Sequence, residues 1–255
     1  MKIALIQTDL SWENPNENKA LLQEKINAIS QYVDLIVLPE MFTSGFTMNP
    51  ENVAQTMDGD AVSWLKEIAS NKNCAITGSL VIEENGHYFN RLVFVFPSGE
   101  IQTYDKRHLF TLAGEDKVYT SGKEKLIIEY NGFKICPLIC YDLRFPVFAR
   151  NVEDYDVLIY VANWPKPRIN AWDILLKARA VENMSYVIGV NRVGIDANNH
   201  DYVGHSQAVD FLGNCIQEPQ EIEGVFVVEF DKNILLETRK KLNFLADKDN
   251  FELLS

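Results

Sequence analysis

The sequence predicts an α/β fold in which mixed β-sheets are covered by helices in one layered domain. Apolar runs rich in β-branched residues recur along the chain, amphipathic helical patterns lie between some of them, and hairpin turn signals separate others. Several of the runs are apolar almost without interruption, which is typical of strands covered on both faces. Strand–helix–strand units combined with antiparallel hairpins favour layered sheets with helices outside.

The apolar runs predict strands over residues 3–6, 35–38, 75–82, 92–96, 135–139, 157–162, 186–190 and 225–230. Hairpin turns are predicted at Asn85-Gly86, at Ser98-Gly99 and at Leu212-Gly213-Asn214. A strand–helix–strand pattern opens the chain over residues 2–38, and a similar pattern begins near residue 133. The two stretches share this loose order of elements but not sequence identity.

Three helices are predicted. The first follows Pro15, because apolar residues recur there at helical spacing as far as Val33. The second covers about residues 60–71 and the third about residues 169–184, and each carries an apolar stripe.

The chain is predicted to be one domain over residues 1–255, because no low-complexity or Pro/Gly/Ser-rich linker divides it. Residues 231–255 mix charge with apolar side chains and are predicted to form a C-terminal arm. Its apolar residues are Phe244, Leu245, Phe251, Leu253 and Leu254. We expect the arm to pack on a partner subunit in a homodimer.

Composition excludes several classes of protein. With 24 Lys and Arg against 36 Asp and Glu, the net charge is −12, so binding to nucleic acid is not expected. The N-terminal segment lacks the features of a signal peptide, and no apolar stretch is long enough to span a bilayer. We therefore expect no membrane contact and a cytoplasmic location. The four cysteines are not paired at metal-binding spacing, so no metal site is predicted.

Three reactive side chains follow apolar strands. Glu40 ends the segment that begins at Asp34, Lys106 follows a strand that ends near Tyr104, and Cys140 ends another strand. Ligand crevices form at such strand ends in α/β sheets. Each residue also has a simpler interpretation: a surface or ion-paired acid for Glu40, a solvated charged loop for Lys106, and a buried inert thiol for Cys140.

Together these three residues make a complete set for cleaving an amide. A thiol nucleophile needs a base, because free cysteine is mostly protonated at neutral pH. None of the four histidines follows an apolar strand as Glu40 does. A carboxylate whose pKa is raised by burial can serve as the base. A lysine can then stabilise the oxyanion that develops on the substrate.

The motifs around these residues resemble those of the nitrilase superfamily of carbon–nitrogen hydrolases, in the family's order. They read Leu-Pro-Glu40-Met-Phe, Tyr-Asp-Lys106-Arg-His-Leu-Phe and Ile-Cys140-Tyr-Asp-Leu-Arg-Phe-Pro. The similarity continues through Ala-Gly-Glu115, Ala-Asn163-Trp-Pro and later segments to about residue 230. It implies a four-layer αββα sandwich of the nitrilase type, commonly assembled from paired sandwiches.

The resemblance also implies roles. Cys140 would attack a carboxamide carbon, and Glu40 would act as general base and then as general acid. Lys106 and the backbone N–H of Tyr141 would hold the oxyanion, and Glu115 would orient Lys106 or the substrate. The family uses no metal and no organic cofactor.

Within the superfamily, the segments after Glu40 and Cys140 look most like the ω-amidase branch, whose members hydrolyse the terminal amide of 2-oxo dicarboxylic acid monoamides. Nitrilases proper typically continue from the cysteine through Trp-Glu, whereas this chain has Cys140-Tyr141-Asp142. Two alternatives remain open: a hydrolase of N-carbamoyl amino acids, and a catalytically silent binding protein of the same fold.

A short anionic amide in so acidic a protein requires a local cation. Arg144 and Arg168 are the candidates for the substrate carboxylate, with Lys166 nearby, although Arg144 could instead pair with Asp142 or another acid. The aromatic residues predicted to form the pocket wall are Phe42, Phe46 and Trp164.

Overall fold

The computed structural model describes residues 1–253, which form fourteen strands and five α-helices. The strands are β1 (Lys2–Gln7), β2 (Leu35–Val37), β3 (Ala75–Glu84), β4 (His87–Val95), β5 (Ile101–Asp105), β6 (Ile128–Tyr130), β7 (Phe133–Ile139), β8 (Val157–Ala162), β9 (Tyr186–Asn191), β10 (Val193–Ile195), β11 (Asp201–Val203), β12 (Gln207–Val209), β13 (Cys215–Gln217) and β14 (Gly224–Glu229). The helices are α1 (Pro15–Asn27), α2 (Asp60–Lys72), α3 (Pro146–Ala149), α4 (Ile169–Asn183) and α5 (Lys232–Lys241).

Two six-stranded sheets contain most of the strands. Their orders are β14-β1-β2-β3-β4-β5 and β13-β12-β9-β8-β7-β6, while β10 and β11 form a separate ribbon. In each sheet, three central strands are parallel and the flanking strands are antiparallel. The two sheets therefore repeat one arrangement, with β1, β2 and β3 in the first corresponding to β7, β8 and β9 in the second. This correspondence agrees with the similar strand–helix–strand patterns that the sequence shows over residues 2–38 and from near residue 133.

The sheets pack face to face, and helices cover their outer faces. Successive residues of β1 point to opposite faces of the first sheet. Ile3 and Leu5 join the core shared with the second sheet, whereas Ala4 and Ile6 pack against the helical layer. Residues of α1 and α2 complete that outer layer. On the second sheet, α4 packs so closely that a Cβ on Gly189 would lie 2.5 Å from Leu176. The result is the four-layer αββα sandwich.

Most of the predicted elements are present. The helices predicted over 60–71 and 169–184 correspond to α2 and α4, and the three predicted hairpin turns lie between β3 and β4, β4 and β5, and β12 and β13. Helix α1 ends at Asn27, earlier than the apolar spacing predicts, so Ile29 and Val33 pack from the loop that follows.

The C-terminal segment returns to the second sheet. Leu235 of α5 is buried in the shared core, and Arg239 donates to Asp156 at 3.1 Å. Beyond α5, Phe244 is exposed. Residues 254 and 255 of the predicted arm lie outside the described residues.

Candidate active site

The candidate catalytic side chains lie at strand ends in both sheets. Lys106 directly follows β5, Cys140 directly follows β7, and Glu40 lies three residues beyond β2. Strand β5 runs in the same direction as β3, because two successive antiparallel pairings separate them. The carboxyl ends of β2 and β5 therefore lie at the same end of the first sheet.

The Lys106 ammonium is fully buried between two carboxylates. Its Nζ donates to Oε1 of Glu40 at 2.9 Å and to both carboxylate oxygens of Glu115 at 3.0 Å. Burial alone would lower the pKa of a lysine, but the charges of Glu115 and Glu40 outweigh it and raise the pKa of Lys106. The side chain therefore carries its charge at neutral pH.

Glu115 supports Lys106 from a short 3₁₀ turn, Glu115–Lys117. Its carboxylate also accepts hydrogen bonds from the backbone N–H of Phe110 at 2.6 Å and from Nδ2 of Asn90 at 3.3 Å. Burial raises the pKa of Glu115 above its ordinary value, the nearby Glu40 carboxylate adds to that effect, and Lys106 opposes it. This position lets Glu115 orient the Lys106 ammonium.

Two asparagines that sequence reasoning missed hold Glu40. Nδ2 of Asn90 donates to Oε1 at 2.8 Å, and the backbone N–H of Asn163 donates to Oε2 at 2.8 Å. The side chain of Asn163 also donates to the backbone oxygen of Glu40 at 2.7 Å. Asn163 directly follows β8, so a strand-end signal could have identified it, whereas Asn90 lies within β4 and has no such signal.

Cys140 occupies a strained elbow between β7 and a short 3₁₀ turn, Cys140–Arg144. Its φ is +42°, a conformation that costs a non-glycine residue about 1–3 kcal/mol. The residue is half-buried, and burial together with the Glu40 charge raises the pKa of the Cys140 thiol well above its ordinary value, although Lys106 opposes this. The resting group is therefore a neutral thiol that needs a base.

The backbone N–H of Tyr141 lies in the first turn after Cys140. The first N–H groups of a helical turn have no acceptor within that turn, so they can bind a negative charge. The elbow thus places a hydrogen-bond donor directly beside the thiol-bearing residue.

A cavity of about 530 Å³ lies beside the Cys140 thiol, and Glu40 and Glu115 are behind its lining. Lys106, Cys140, Tyr141 and Asn163 line it, and Phe46 forms part of its wall, with its ring centroid 5.1 Å from Nζ of Lys106. The other lining residues are Trp12, Met48, Asn49, Phe110, Leu112, Ala113, Arg144, Trp164, Pro165, Arg168, Asp196, Asn198, His200 and Tyr202. Of the three predicted aromatic wall residues, Phe46 and Trp164 therefore line the cavity.

Phe42 does not line the cavity, contrary to expectation. It is buried between the first sheet and its helices, where its ring centroid lies 5.9 Å from that of Trp64. A Cβ on Gly78 would lie 2.8 Å from the Phe42 ring, so the ring packs directly onto β3. The turn after Glu40 directs Phe42 to the outer face of the sheet.

Both arginines predicted to bind a carboxylate line the cavity. The Arg144 guanidinium lies 4.9 Å from the Trp164 ring centroid, and that of Arg168 lies 5.1 Å from the Phe110 ring centroid. Within residues 1–253, neither makes an ion pair with a carboxylate. Lys166, by contrast, pairs with Asp201 at 3.0 Å and does not line the cavity. The two guanidiniums are thus available to an anionic ligand.

Neither a metal cluster nor a membrane span is found in the described part of the chain. Residues 1–253 contain no group of three or more His, Cys, Asp or Glu side chains placed to hold a metal ion. Among the helices of the same residues, none is long and apolar enough to cross a membrane.

The family follows from comparison with known proteins. The model of the carbon-nitrogen hydrolase family matches residues 2–240. The chain belongs to the carbon-nitrogen hydrolase family. Among curated family members, it is 41% identical to "Omega-amidase YafV" of Escherichia coli K12, over 99% of this chain and 98% of that protein. It is 34% identical to the "2-oxoglutaramate amidase" of Bacillus subtilis, over 96% of each chain.

Crystal structures of carbon-nitrogen hydrolases share the fold. XC1258 of Xanthomonas campestris, described as a superfamily protein with an arsenic adduct in its active site, is 41% identical, with a TM-score of 0.97 over 99% of this chain and 98% of that chain. A mutant of an amidase of the nitrilase superfamily from Nesterenkonia is 25% identical, with a TM-score of 0.81 over 96% of this chain and 97% of that chain.

Proposed function

We propose that this carbon-nitrogen hydrolase is an ω-amidase that hydrolyses the terminal amide of 2-oxo dicarboxylic acid monoamides such as 2-oxoglutaramate. One observation carries the proposal: a single cavity contains the Cys140 thiol, the Lys106 ammonium and the guanidiniums of Arg144 and Arg168, and these two guanidiniums make no ion pair within residues 1–253. The first two groups suit amide cleavage, and the guanidiniums suit a substrate carboxylate. The curated relatives named as ω-amidase and 2-oxoglutaramate amidase support the same substrate class.

The reaction begins with a proton transfer. Because the raised pKa keeps the Cys140 thiol neutral, Glu40 accepts its proton as sulfur attacks the amide carbon. The oxyanion of the tetrahedral intermediate accepts hydrogen bonds from Lys106 and from the backbone N–H of Tyr141. Glu40 then returns the proton to the amide nitrogen, the C–N bond breaks, and ammonia leaves a thioester on Cys140.

Water completes the cycle. Glu40 takes a proton from a water molecule, and the resulting hydroxide attacks the thioester carbon. The second tetrahedral intermediate uses the same donors and collapses with cleavage of the C–S bond. The sulfur recovers the proton from Glu40, and the new carboxyl group loses its remaining proton to solvent, so the product leaves as a dicarboxylate. Glu115 and the two asparagines keep Lys106 and Glu40 in place through both halves.

Arg144 and Arg168 bind the carboxylate at the other end of the substrate. Each guanidinium packs near an aromatic ring that also lines the cavity, which limits its side-chain freedom before the substrate arrives. Trp164 and Phe46 form the walls between the carboxylate and the reacting amide.

Ammonia release from 2-oxoglutaramate tests this function. The wild type should release ammonia, and Cys140→Ala should lose essentially all activity because no other side chain in the cavity offers a thiol. Cys215→Ala is the matched control, since Cys215 is also half-buried but does not line the cavity. A panel with N-carbamoyl-β-alanine, glutamine and a neutral amide separates related substrate classes. Absence of activity on every ω-monoamide, or full activity of Cys140→Ala, would contradict the proposal.

We further propose that the protein is a homodimer. Helix α4 presents the apolar side chains of Ile174 and Val181 to solvent, 57% and 49% exposed. Exposed Leu212 precedes Gly213, whose Cβ would lie 2.9 Å from Val181, so the apolar surface continues beyond the helix. Phe244 and Phe251 of the C-terminal arm are also exposed apolar side chains.

Sedimentation equilibrium at micromolar concentration tests the homodimer. It should give twice the chain mass of 29.1 kDa, and a mass of one chain would contradict the proposal.

We also propose a cytoplasmic location. All four cysteines are free, and Cys74 and Cys136 are buried in the cores, which suits a reducing compartment. Cell fractionation with immunodetection should find the protein with soluble cytoplasmic markers, and recovery with the envelope fraction would refute this location.

A further inference from the structure

Asp142 is a fully buried carboxylate two residues after Cys140. Its Oδ1 accepts hydrogen bonds from the backbone N–H of His108 at 3.0 Å and makes a 2.7 Å contact with Nδ1 of the same residue. Its Oδ2 accepts from the hydroxyl of Tyr104 at 2.8 Å and from the backbone N–H of Ile139 at 3.0 Å. Arg144 is not among the partners of Asp142 within residues 1–253, so the predicted alternative of an ion pair between them is not found.

These contacts join the two chain segments that carry the chemistry. Tyr104 lies two residues before Lys106, and His108 lies two residues after it. The Tyr104 hydroxyl also accepts a hydrogen bond from the backbone N–H of Arg107 at 3.1 Å. Ile139 directly precedes Cys140, so its hydrogen bond to Asp142 closes a turn across the strained elbow. One side chain thus contacts residues on both sides of Lys106, through the Tyr104 hydroxyl and the His108 backbone, and also the backbone just before Cys140.

We propose that Asp142 is a positioning residue that holds the Cys140 elbow in register with Lys106. The proposal rests on the nucleophilic role of Cys140 in the proposed function. A carboxylate suits the position because an ionised carboxyl group offers two oxygens with about four lone-pair sites, and here each oxygen faces two partners. An asparagine has the same shape but only one such oxygen, so two of the four partners would face an amide NH₂ group.

The test compares Asp142→Asn with Asp156→Asn. Asp156 is a matched control, because it is also buried and accepts a backbone N–H, that of Lys134, at 2.9 Å. It directly precedes β8, whereas Asn163 directly follows the same strand, so Asp156 and the site lie at opposite ends of β8. Steady-state kinetics with 2-oxoglutaramate, thermal melting, and the rate of iodoacetamide alkylation at Cys140, followed by peptide mass spectrometry, are measured for each variant.

For Asp142→Asn we expect kcat to fall about 100-fold, with KM nearly unchanged, and alkylation of Cys140 to slow, because small displacements of reacting groups have effects of this size. Asp156→Asn should lower the melting temperature and leave kcat and the alkylation rate at wild-type values. A lower melting temperature for Asp142→Asn with wild-type kcat and alkylation would show a merely structural role and overturn the proposal.

Tyr104→Phe keeps the test decisive if Asp142→Asn does not fold. This variant removes one donor to Asp142 and leaves the other contacts, so a smaller fall in kcat is expected, again with little change in KM. Wild-type kcat in Tyr104→Phe would overturn the proposal in that case. The alkylation rate does not depend on the substrate, so it tests Asp142 even if the wild type hydrolyses no ω-monoamide and the substrate assignment fails.

Discussion

The site buries one lysine beside two carboxyl groups. Lys106 brings one positive charge to a fully buried space that it shares with two carboxyl groups, Glu40 and Glu115. Removing such charges from water is costly unless each is paired and hydrogen-bonded, as these are. Burial and the nearby Glu40 charge raise the pKa of the Cys140 thiol, so the resting thiol is neutral, and in the proposed mechanism Glu40 takes its proton.

Removing one cavity guanidinium should weaken binding of an anionic amide. Arg144→Gln deletes a charge-assisted contact, so KM for 2-oxoglutaramate should rise about 10–100-fold while kcat changes little. Steady-state kinetics check this, with a neutral amide as second substrate, whose KM should not rise. Lys166→Gln is the matched control, because Lys166 is a nearby cation that pairs with Asp201 outside the cavity. An equal rise in KM for both substrates would indicate a damaged pocket instead of a lost carboxylate contact.

Residues that support the site were hard to predict because their partners are distant in sequence. Glu40, Lys106 and Cys140 could be found locally, since each follows an apolar strand. Asn163, by contrast, holds Glu40 across a separation of 123 residues, and Asn90 does so across 50. Asp142 connects to Tyr104 across 38 residues. No periodicity or local motif predicts such pairings, because they depend on strand order within the first sheet, for Asn90, and on how the two sheets are stacked, for Asn163 and Asp142.

At the scale of elements, the site depends on how strands end. β7 passes into a 3₁₀ turn through the positive φ of Cys140, and this turn exposes the thiol and the Tyr141 N–H together. The segment that follows β5 and carries Lys106 packs closely against the backbone at Gly122. The backbone N–H of Gly122 donates a hydrogen bond to the backbone oxygen of Lys106 at 2.9 Å. A Cβ on Gly122 would lie 2.1 Å from the backbone oxygen of Asp105, so only glycine fits there.

Gly122→Ala should therefore displace the segment that carries Lys106. We expect the free energy of unfolding to fall by about 1–3 kcal/mol, as for overpacked sites. We also expect kcat to fall by roughly 10–100-fold, because Lys106 moves relative to the substrate. Chemical denaturation and steady-state kinetics measure the two effects. Ser121→Ala is the control, since Ser121 is an exposed neighbour. Wild-type kcat in Gly122→Ala would mean that the Lys106 segment tolerates the added methyl group.

At the scale of the whole molecule, the stacked sheets bring distant segments to one cavity in an acidic protein. The net charge of −12 disfavours an anionic ligand in general, yet Arg144 and Arg168 lie together at this cavity. Local cations can override a global field at close range, particularly where salt screens distant charges. The acidic surface and the anionic substrate are therefore compatible.

The proposed homodimer predicts that a charge on the apolar surface of α4 will separate the subunits. Val181→Glu should shift the mass at micromolar concentration from two chains to one, because the new carboxylate would be buried without a partner. Sedimentation velocity measures the change. Tyr32→Glu is the control: Tyr32 is 59% exposed and precedes β2 of the first sheet, so this substitution should leave the mass unchanged. A dimeric Val181→Glu would place the interface elsewhere.

The sequence by itself determined the α/β class, most strands, two of the three predicted helices nearly to the residue, and the three strand-end candidates, because each of these has a local signal in side-chain periodicity and turn chemistry. Tertiary structure alone decided which side chains face the cavity. Phe42 and Phe46 lie four residues apart after the same strand, yet only Phe46 lines the cavity, while Phe42 packs between sheet and helices. The hydrogen bonds that Asn90, Asp142 and Asn163 make across the fold depend on the packing of distant strands and not on neighbouring residues. The same is true of chain direction after a turn.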